Sequence, residues 1–218
     1  PGLYSTLIAD NNIKLRTNGR EKAISIEITP QLDVYHQTER AEIHFKTAVS
    51  MRRFNDDKTL NSNDQEAFFY GNYRFEKSIF EWKAALENRN TLASEREATG
   101  LIDTAKQRRK WQFQPQWSKQ LSERTQMNIQ YSGLKTDYQG SASKGLLDYT
   151  FHEISSNLSY RLSERQKMYG LFSASRYRVE QFQLTTRTVG FSLGLDQLMS
   201  ARSEFSLSGG VRLYENIQ

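Results

Sequence analysis

Serine, histidine and acidic side chains are the groups in this chain whose chemistry could support acyl transfer. Ser50 and His44 share one face of an alternating segment and form the most suggestive pair. They are six residues apart, or roughly 20 Å along an extended strand. Because a nucleophile and its base must lie within hydrogen-bond reach, this spacing predicts no catalytic constellation and no catalytic residue.

Metal ligation is the second chemistry to test. The histidines are His36, His44 and His152, and cysteine is absent. No two histidines have the close helical spacing that builds a zinc site, and a lone histidine on a polar face is usually only hydrogen-bonded. Glycine-rich phosphate loops are also absent, because Gly190 and Gly194 fall within strand patterns. The sequence therefore predicts no metal site and no cofactor.

Two long alternating segments must position these side chains. Mostly apolar residues occupy every second position from Ile24 to Val34, with polar residues between them. After a break at 38–40 the pattern resumes in the opposite phase from Ala41 to Met51. Period-two alternation predicts strands with one apolar and one polar face, joined here as a hairpin.

The length of these segments points to a membrane. Strands of soluble proteins have about five or six residues, whereas a tilted membrane-spanning strand needs roughly nine to eleven. No apolar run approaches the length of a transmembrane helix. We therefore predict an all-β fold, an antiparallel transmembrane β-barrel of meander hairpins with about 11–12 strands, and treat residues 1–218 as a single outer-membrane domain.

Short and long connections alternate along the chain. Short turns are predicted at 38–40, 76–78, 121–124, 162–165 and 199–202, and polar loops at about 55–64, 88–107 and 135–145. Serine and threonine in the short turns are expected to bond the local backbone. Outer-membrane barrels have the same asymmetry, with short periplasmic turns and long outer loops.

Three details of the strand pattern carry further expectations. The first strand is predicted between Leu3 and Leu15, with Ile13 and Leu15 as its clearest alternating pair, and Pro115 is expected to cause a bulge. The strand count is odd, there is no terminal aromatic and no signal peptide opens the chain. We therefore expect a processed chain that is part of a longer barrel.

The alternation divides side chains between a lumen and the lipid. The residues predicted to line the lumen are polar or charged: Glu27, Asp33, Glu42, His44, Lys46, Arg74, Glu81, Lys83, Glu87, Lys110, Gln112, Gln114 and Arg212. Those predicted to face lipid or form an aromatic girdle are Ile26, Ile28, Phe45, Trp82, Trp111, Phe113, Trp117, Phe191 and Leu207. An open, charge-lined lumen and a closed interior cross-linked by ion pairs remain equal alternatives.

The charge pattern argues against a nucleic-acid partner. The net charge is +5, but the basic residues are interleaved with nearly as many carboxylates and form no basic run. Mixed-sign strand faces are instead typical of a hydrated lumen. The predicted partners are outer-membrane lipid and lipopolysaccharide.

Short motifs carry a family resemblance. Asp-Asn-Asn-Ile at 10–13, the two alternating strands that follow, and Leu-Ser-Glu-Arg at 121–124 and 162–165 resemble bacterial outer-membrane β-barrels associated with exopolysaccharide export and PEP-CTERM loci. The resemblance implies a Gram-negative outer-membrane protein that serves polysaccharide passage or secretion, with polysaccharide cargo and periplasmic export proteins as partners. It implies no catalytic residues.

The sequence thus favours a passive pore or secretion conduit of the bacterial outer membrane, with exopolysaccharide as cargo by resemblance. Three alternatives remain open. They are a scaffold barrel with a blocked lumen that holds a periplasmic or surface partner, a barrel enzyme acting on lipid or glycan, and a soluble β-sandwich binding module.

Overall fold

The computed structural model describes residues 1–10, 23–55, 58, 61–91, 106–139, 146–200 and 203–217. They form one eleven-stranded sheet in which each strand pairs with the next in the chain. All of these pairings are antiparallel. The prediction of an all-β antiparallel meander is therefore confirmed. No helix in the described ranges is long and apolar enough to span a membrane.

The strands are long. They are β1 (Gly2–Asp10), β2 (Ala23–Gln37), β3 (Ala41–Phe54), β4 (Ser62–Arg74), β5 (Ser78–Asn90), β6 (Gln107–Gln120), β7 (Thr125–Tyr138), β8 (Tyr149–Ser163), β9 (Gln166–Val179), β10 (Leu184–Ser200) and β11 (Ser203–Ile217). A strand of about fourteen residues tilted by 45° covers roughly 30 Å along the barrel axis, the thickness of a bilayer hydrocarbon core.

The structure describes the first strand at Gly2–Asp10, and the predicted pair Ile13 and Leu15 lies outside the described residues. Two other predictions about connections were wrong. The third predicted loop begins at 139 instead of 135, because Lys135 to Tyr138 continue β7 and pair with β6. The β9–β10 connection has only four residues, 180–183, and closes with a bond from Gln183 N to Glu180 O of 3.2 Å. The alternation of short and long connections is therefore weaker at the β9–β10 connection.

The short turns use side-chain oxygens as predicted. Thr38 Oγ1 accepts from Ala41 N at 3.0 Å. Ser122 Oγ accepts from Thr125 N at 3.1 Å, and Ser163 Oγ from Arg165 N at 3.2 Å. These bonds satisfy main-chain donors where the ladder reverses, so the repeated serines are explained by turn geometry.

The predicted bulge at Pro115 was wrong. Phe113 pairs with Gly133 and Gln116 pairs with Gln130, so the register is the same on both sides and no residue is inserted. The pairing with β7 is interrupted only at Gln114 and Pro115, while Pro115 still pairs with Trp82 of β5. The missing proline N–H therefore interrupts the ladder on one side without shifting its register.

The sheet has almost no apolar core. Only Ala48, Phe54 and Val179 are buried apolar residues in the described part of the chain, whereas Leu207 is 62% and Leu213 71% exposed. The exposed surface is 15138 Å², against roughly 10,000 Å² for a soluble monomer of this mass. A single layer with an uncovered apolar face is not a soluble domain architecture.

Candidate functional site

The cross-strand register makes one polar face continuous from β1 to β11, and we call it the inner face. Directly paired residues share a face, and Glu27 with Arg52, Asp33 with Lys46, and Glu87 with Lys110 are such pairs. All residues that the sequence predicted to line a lumen fall on this face: Glu27, Asp33, Glu42, His44, Lys46, Arg74, Glu81, Lys83, Glu87, Lys110, Gln112, Gln114 and Arg212. That they line a lumen stays a prediction.

The opposite face, called the outer face, is apolar. The residues predicted to meet lipid all lie on it: Ile26, Ile28, Phe45, Trp82, Trp111, Phe113, Trp117, Phe191 and Leu207. Aromatic rings gather there at the short-turn end of β4 to β6. The centroids of Phe80 and Trp82 are 5.5 Å apart, and Lys119 Nζ lies 5.5 Å from the Trp117 ring. This is the composition of an interfacial girdle.

The inner face of β2 to β6 is a lattice of alternating charge. Arg52 Nε and Nη2 donate to Glu27 Oε2 at 2.8 and 2.5 Å. The next strand pairs add Arg89 to Glu66 and Arg108 to Glu87, the latter at 3.2 Å. A small cavity of about 190 Å³ lies among Glu27, Arg52, Asp64, Glu66 and Arg89. Fixed charges of both signs therefore cover this part of the wall.

These inner-face ion pairs join neighbouring strands. Glu27–Arg52 links β2 to β3, Glu66–Arg89 links β4 to β5, and Glu87–Arg108 links β5 to β6. Asp33 and His44 Nε2, 2.9 Å apart, again link β2 to β3. The pairs lie along the wall, and none in the described part of the chain connects strands that are not adjacent. Such pairs join neighbouring strands along the inner face.

The inner face of β7 to β11 is mostly neutral. Amides and hydroxyls replace the charges of the first half, and a cavity of about 520 Å³ lies against them. Its inner-face polar lining consists of Asn128, Gln130, Ser155, Asn157, Ser173, Ser192 and Arg212. Because this cavity spans five strands on one side of a single-layer sheet, the sheet bends around the inner face.

The cavity has one cation and one unsatisfied acceptor. Arg212 has no ion pair with a described residue, and no acidic residue of the described chain lines the cavity. The buried Oδ1 of Asn157 likewise accepts no hydrogen bond within the described residues. The site thus offers hydroxyls, amides and one guanidinium, a set suited to a polyhydroxylated or weakly acidic solute.

Two glycines keep aromatic rings flat against the sheet. A Cβ built on Gly194 would lie 2.2 Å from Cζ of Tyr169, its direct partner on the inner face. A Cβ on Gly71 would lie 2.3 Å from Cζ2 of Trp82 on the outer face. Each ring therefore covers backbone. Gly194 therefore relieves crowding at this contact, whereas Gly209 has nothing within 4 Å of its built Cβ.

The histidines and serines do not assemble a hydrolytic site in the described residues. Ser50 Oγ is 3.0 Å from Thr29 Oγ1, while His44 pairs with Asp33. His152 lies on the outer face, with Nδ1 2.7 Å from the Tyr131 hydroxyl. No group of three His, Cys, Asp or Glu side chains able to hold a metal ion occurs among these residues.

The sequence did not predict the ion-pair partners of the charged inner-face residues or the neutral inner face of β7 to β11. Arg52, Glu66, Arg89 and Arg108 complete the charged lattice, and the same period-two phase assigns each to the inner face. The neutral cavity has no such signal, because Asn157, Ser173 and Ser192 come together only through the register of β8, β9 and β10.

No protein family and no curated protein matches this chain. Among solved structures, the chain is similar to the "CymD monoaromatic hydrocarbon channel", with 11% sequence identity and a TM-score of 0.38. The similarity covers 99% of this chain and 73% of the channel. These values are too low for that protein's cargo to bear on this chain.

Proposed function

We propose that this chain forms the wall of a hydrophilic pore in the bacterial outer membrane, with polysaccharide as its cargo. The observation that supports it best is the division of one continuous sheet into an apolar outer face and a polar inner face. Lipid can contact the apolar outer face, and water can hydrogen-bond to the polar inner face. A strand sheet crosses a bilayer only when its backbone bonds are satisfied between strands. Among the described residues, each strand from β1 to β11 pairs with the next, and only the free edges of β1 and β11 have no neighbouring strand.

The neutral part of the inner face supports the choice of cargo. Hydroxyls and amides can exchange hydrogen bonds with successive sugar hydroxyls at similar energy, so a chain of sugars is held weakly at each step. Asn128, Gln130 and Ser155 offer such groups, and Tyr169 and Tyr177 on the same face offer ring surfaces. A wall of this kind favours passage over tight binding.

Conductance in a planar bilayer tests the pore. We expect steady current from the purified protein, with cation selectivity increasing in Arg212→Glu because a fixed positive charge on the inner face becomes negative. The matched control is Lys119→Glu, a charge reversal on the outer face near the short turns. If Arg212→Glu and Lys119→Glu change selectivity equally, the assignment of the inner face to a lumen is wrong.

Occlusion of that current tests the cargo. Neutral oligosaccharides of increasing length should block the current in resolved events, and bulky apolar solutes should not. A folded, membrane-inserted protein that carries no current would favour the scaffold alternative. Hydrolytic turnover of lipid or glycan that is lost on replacing an inner-face serine or histidine would favour the enzyme.

A further inference from the structure

Arginines interrupt the apolar outer face at one end of β9 and β10. Arg176 lies directly opposite Arg187 across the β9–β10 ladder, and on its other side opposite His152 of β8. Arg178 lies two residues further along β9 on the same face. We call Arg176, Arg178 and Arg187 the arginine cluster; all three residues are exposed.

The cluster is confined to one level of the sheet. On the outer face, β9 continues towards its short turn with Ala174, Phe172, Gly170 and Met168, and β10 with Val189, Phe191, Leu193 and Leu195. None of these carries a charge. The arginines lie at the opposite end, next to the connection at 180–183 and on the same side as the polar loops at 91–106 and 139–148.

The cluster is not neutralised within the described residues. Arg187 Nη1 is 4.0 Å from Glu215 Oε2, and the two side chains are 55% and 66% exposed. Arg176 and Arg178 have no ion pair with a described residue. Like charges directly opposite one another destabilise a sheet. Glu215 lies on the far side of Arg187 from Arg176, so an external anion between Arg176 and Arg187 would offset the repulsion that remains.

We propose that the arginine cluster binds the phosphate groups of lipopolysaccharide in the outer leaflet. The proposal rests on the proposed outer-membrane location, in which the longer connections face outwards and this end of β9 and β10 meets the lipid headgroups. Guanidinium groups bind phosphate oxygens in bidentate fashion. One bridging phosphate would relieve the repulsion between Arg176 and Arg187, and Arg178 is placed for a second.

Binding of lipid A to the detergent-solubilised protein, followed by native mass spectrometry, tests the proposal. We expect wild type to bind bisphosphorylated lipid A at least about tenfold more tightly than dephosphorylated lipid A. The triple variant R176Q/R178Q/R187Q should lose that difference, and R176K/R178K/R187K should retain part of it, because lysine keeps the charge without the bidentate geometry. The control K119Q/R161Q/K167Q removes three cations near the short turns, one on the outer face and two on the inner face, and should bind as wild type does.

Three outcomes would overturn the proposal. They are equal affinity for lipid A with and without phosphate, unchanged binding by the glutamine triple variant, and equal displacement of lipid A by phosphatidylglycerol, which would indicate a general anionic-lipid surface. Protease protection in vesicles, measured on the same samples, separates this failure from failure of the proposed function. A protein that does not insert overturns both, whereas an inserted protein that ignores the phosphates overturns only the lipid site.

Discussion

At the scale of single residues, contacts between glycines and aromatic rings decide whether those rings lie flat against the sheet. If Gly194 had a side chain, the Tyr169 ring would have to move, because a Cβ built on Gly194 overlaps it. The same holds for Trp82 and Gly71 on the outer face. The sequence indicated only that these glycines lie within strands; the register that places each beside a ring was not visible in it.

Replacing Gly194 by alanine tests this contact. We expect Gly194→Ala to lower the free energy of unfolding by about 1–3 kcal/mol, because the Tyr169 ring must leave its position. Gly209→Ala is the control, since its built Cβ meets nothing within 4 Å. It should be neutral or slightly stabilising. Denaturant unfolding in detergent micelles measures both, and equal effects would contradict the contact.

At the scale of strands, the sequence predicted the faces and the order of pairing but not the register between strands. Alternation in β2 and β3 was enough to separate Glu27 from Ile26, because a period of two is a local property of an extended chain. The ladder at Pro115 was predicted wrongly because continuity there depends on β5 and β7 on either side. The neutral cavity and the arginine cluster were missed for the same reason, because the cavity draws its residues from five strands and the cluster from two.

Neighbouring residues at the centre of β10 test the two faces. Leu193 lies on the outer face and is 55% exposed, whereas Ser192 lies on the inner face beside the cavity. We expect Leu193→Arg to cost about 2–4 kcal/mol, the penalty for arginine near the bilayer midplane. Ser192→Arg should cost much less because its charge stays in water. Folding into lipid vesicles under denaturant titration gives both values, and the opposite order would reverse the assignment of the faces.

Ion pairs between strands also contribute at this scale. Glu27 and Arg52 join β2 to β3 with side chains only 20% and 28% exposed. A double-mutant cycle with Glu27→Gln and Arg52→Gln should give a coupling free energy of about 1 kcal/mol, above the value for a fully exposed pair. Arg187 and Glu215, which are 4.0 Å apart and more exposed, provide the comparison pair. Their coupling should be close to zero, and a larger value there would contradict the ranking.

At the scale of the whole molecule, the stability of the sheet depends on two different solvents. Apart from the end of the sheet that carries the arginine cluster, the outer face is mostly apolar from β2 to β11, while the inner face combines a charged lattice with a neutral cavity. Neither face is covered by a second layer of the described chain. The fold is therefore expected to be stable only where the outer face contacts lipid or detergent and the inner face contacts water. Each proposed measurement therefore includes detergent or lipid.

Strand direction adds a constraint on how the wall is completed. Each strand runs opposite to its neighbour, so with eleven strands β1 and β11 point the same way. Direct pairing of β1 with β11 would make the one parallel ladder in an otherwise antiparallel sheet. A ring joined only by antiparallel ladders requires an odd number of additional strands between these two edges, whatever chain supplies them. Because diameter grows with strand number, each such strand would widen the passage beyond that of an eleven-stranded ring.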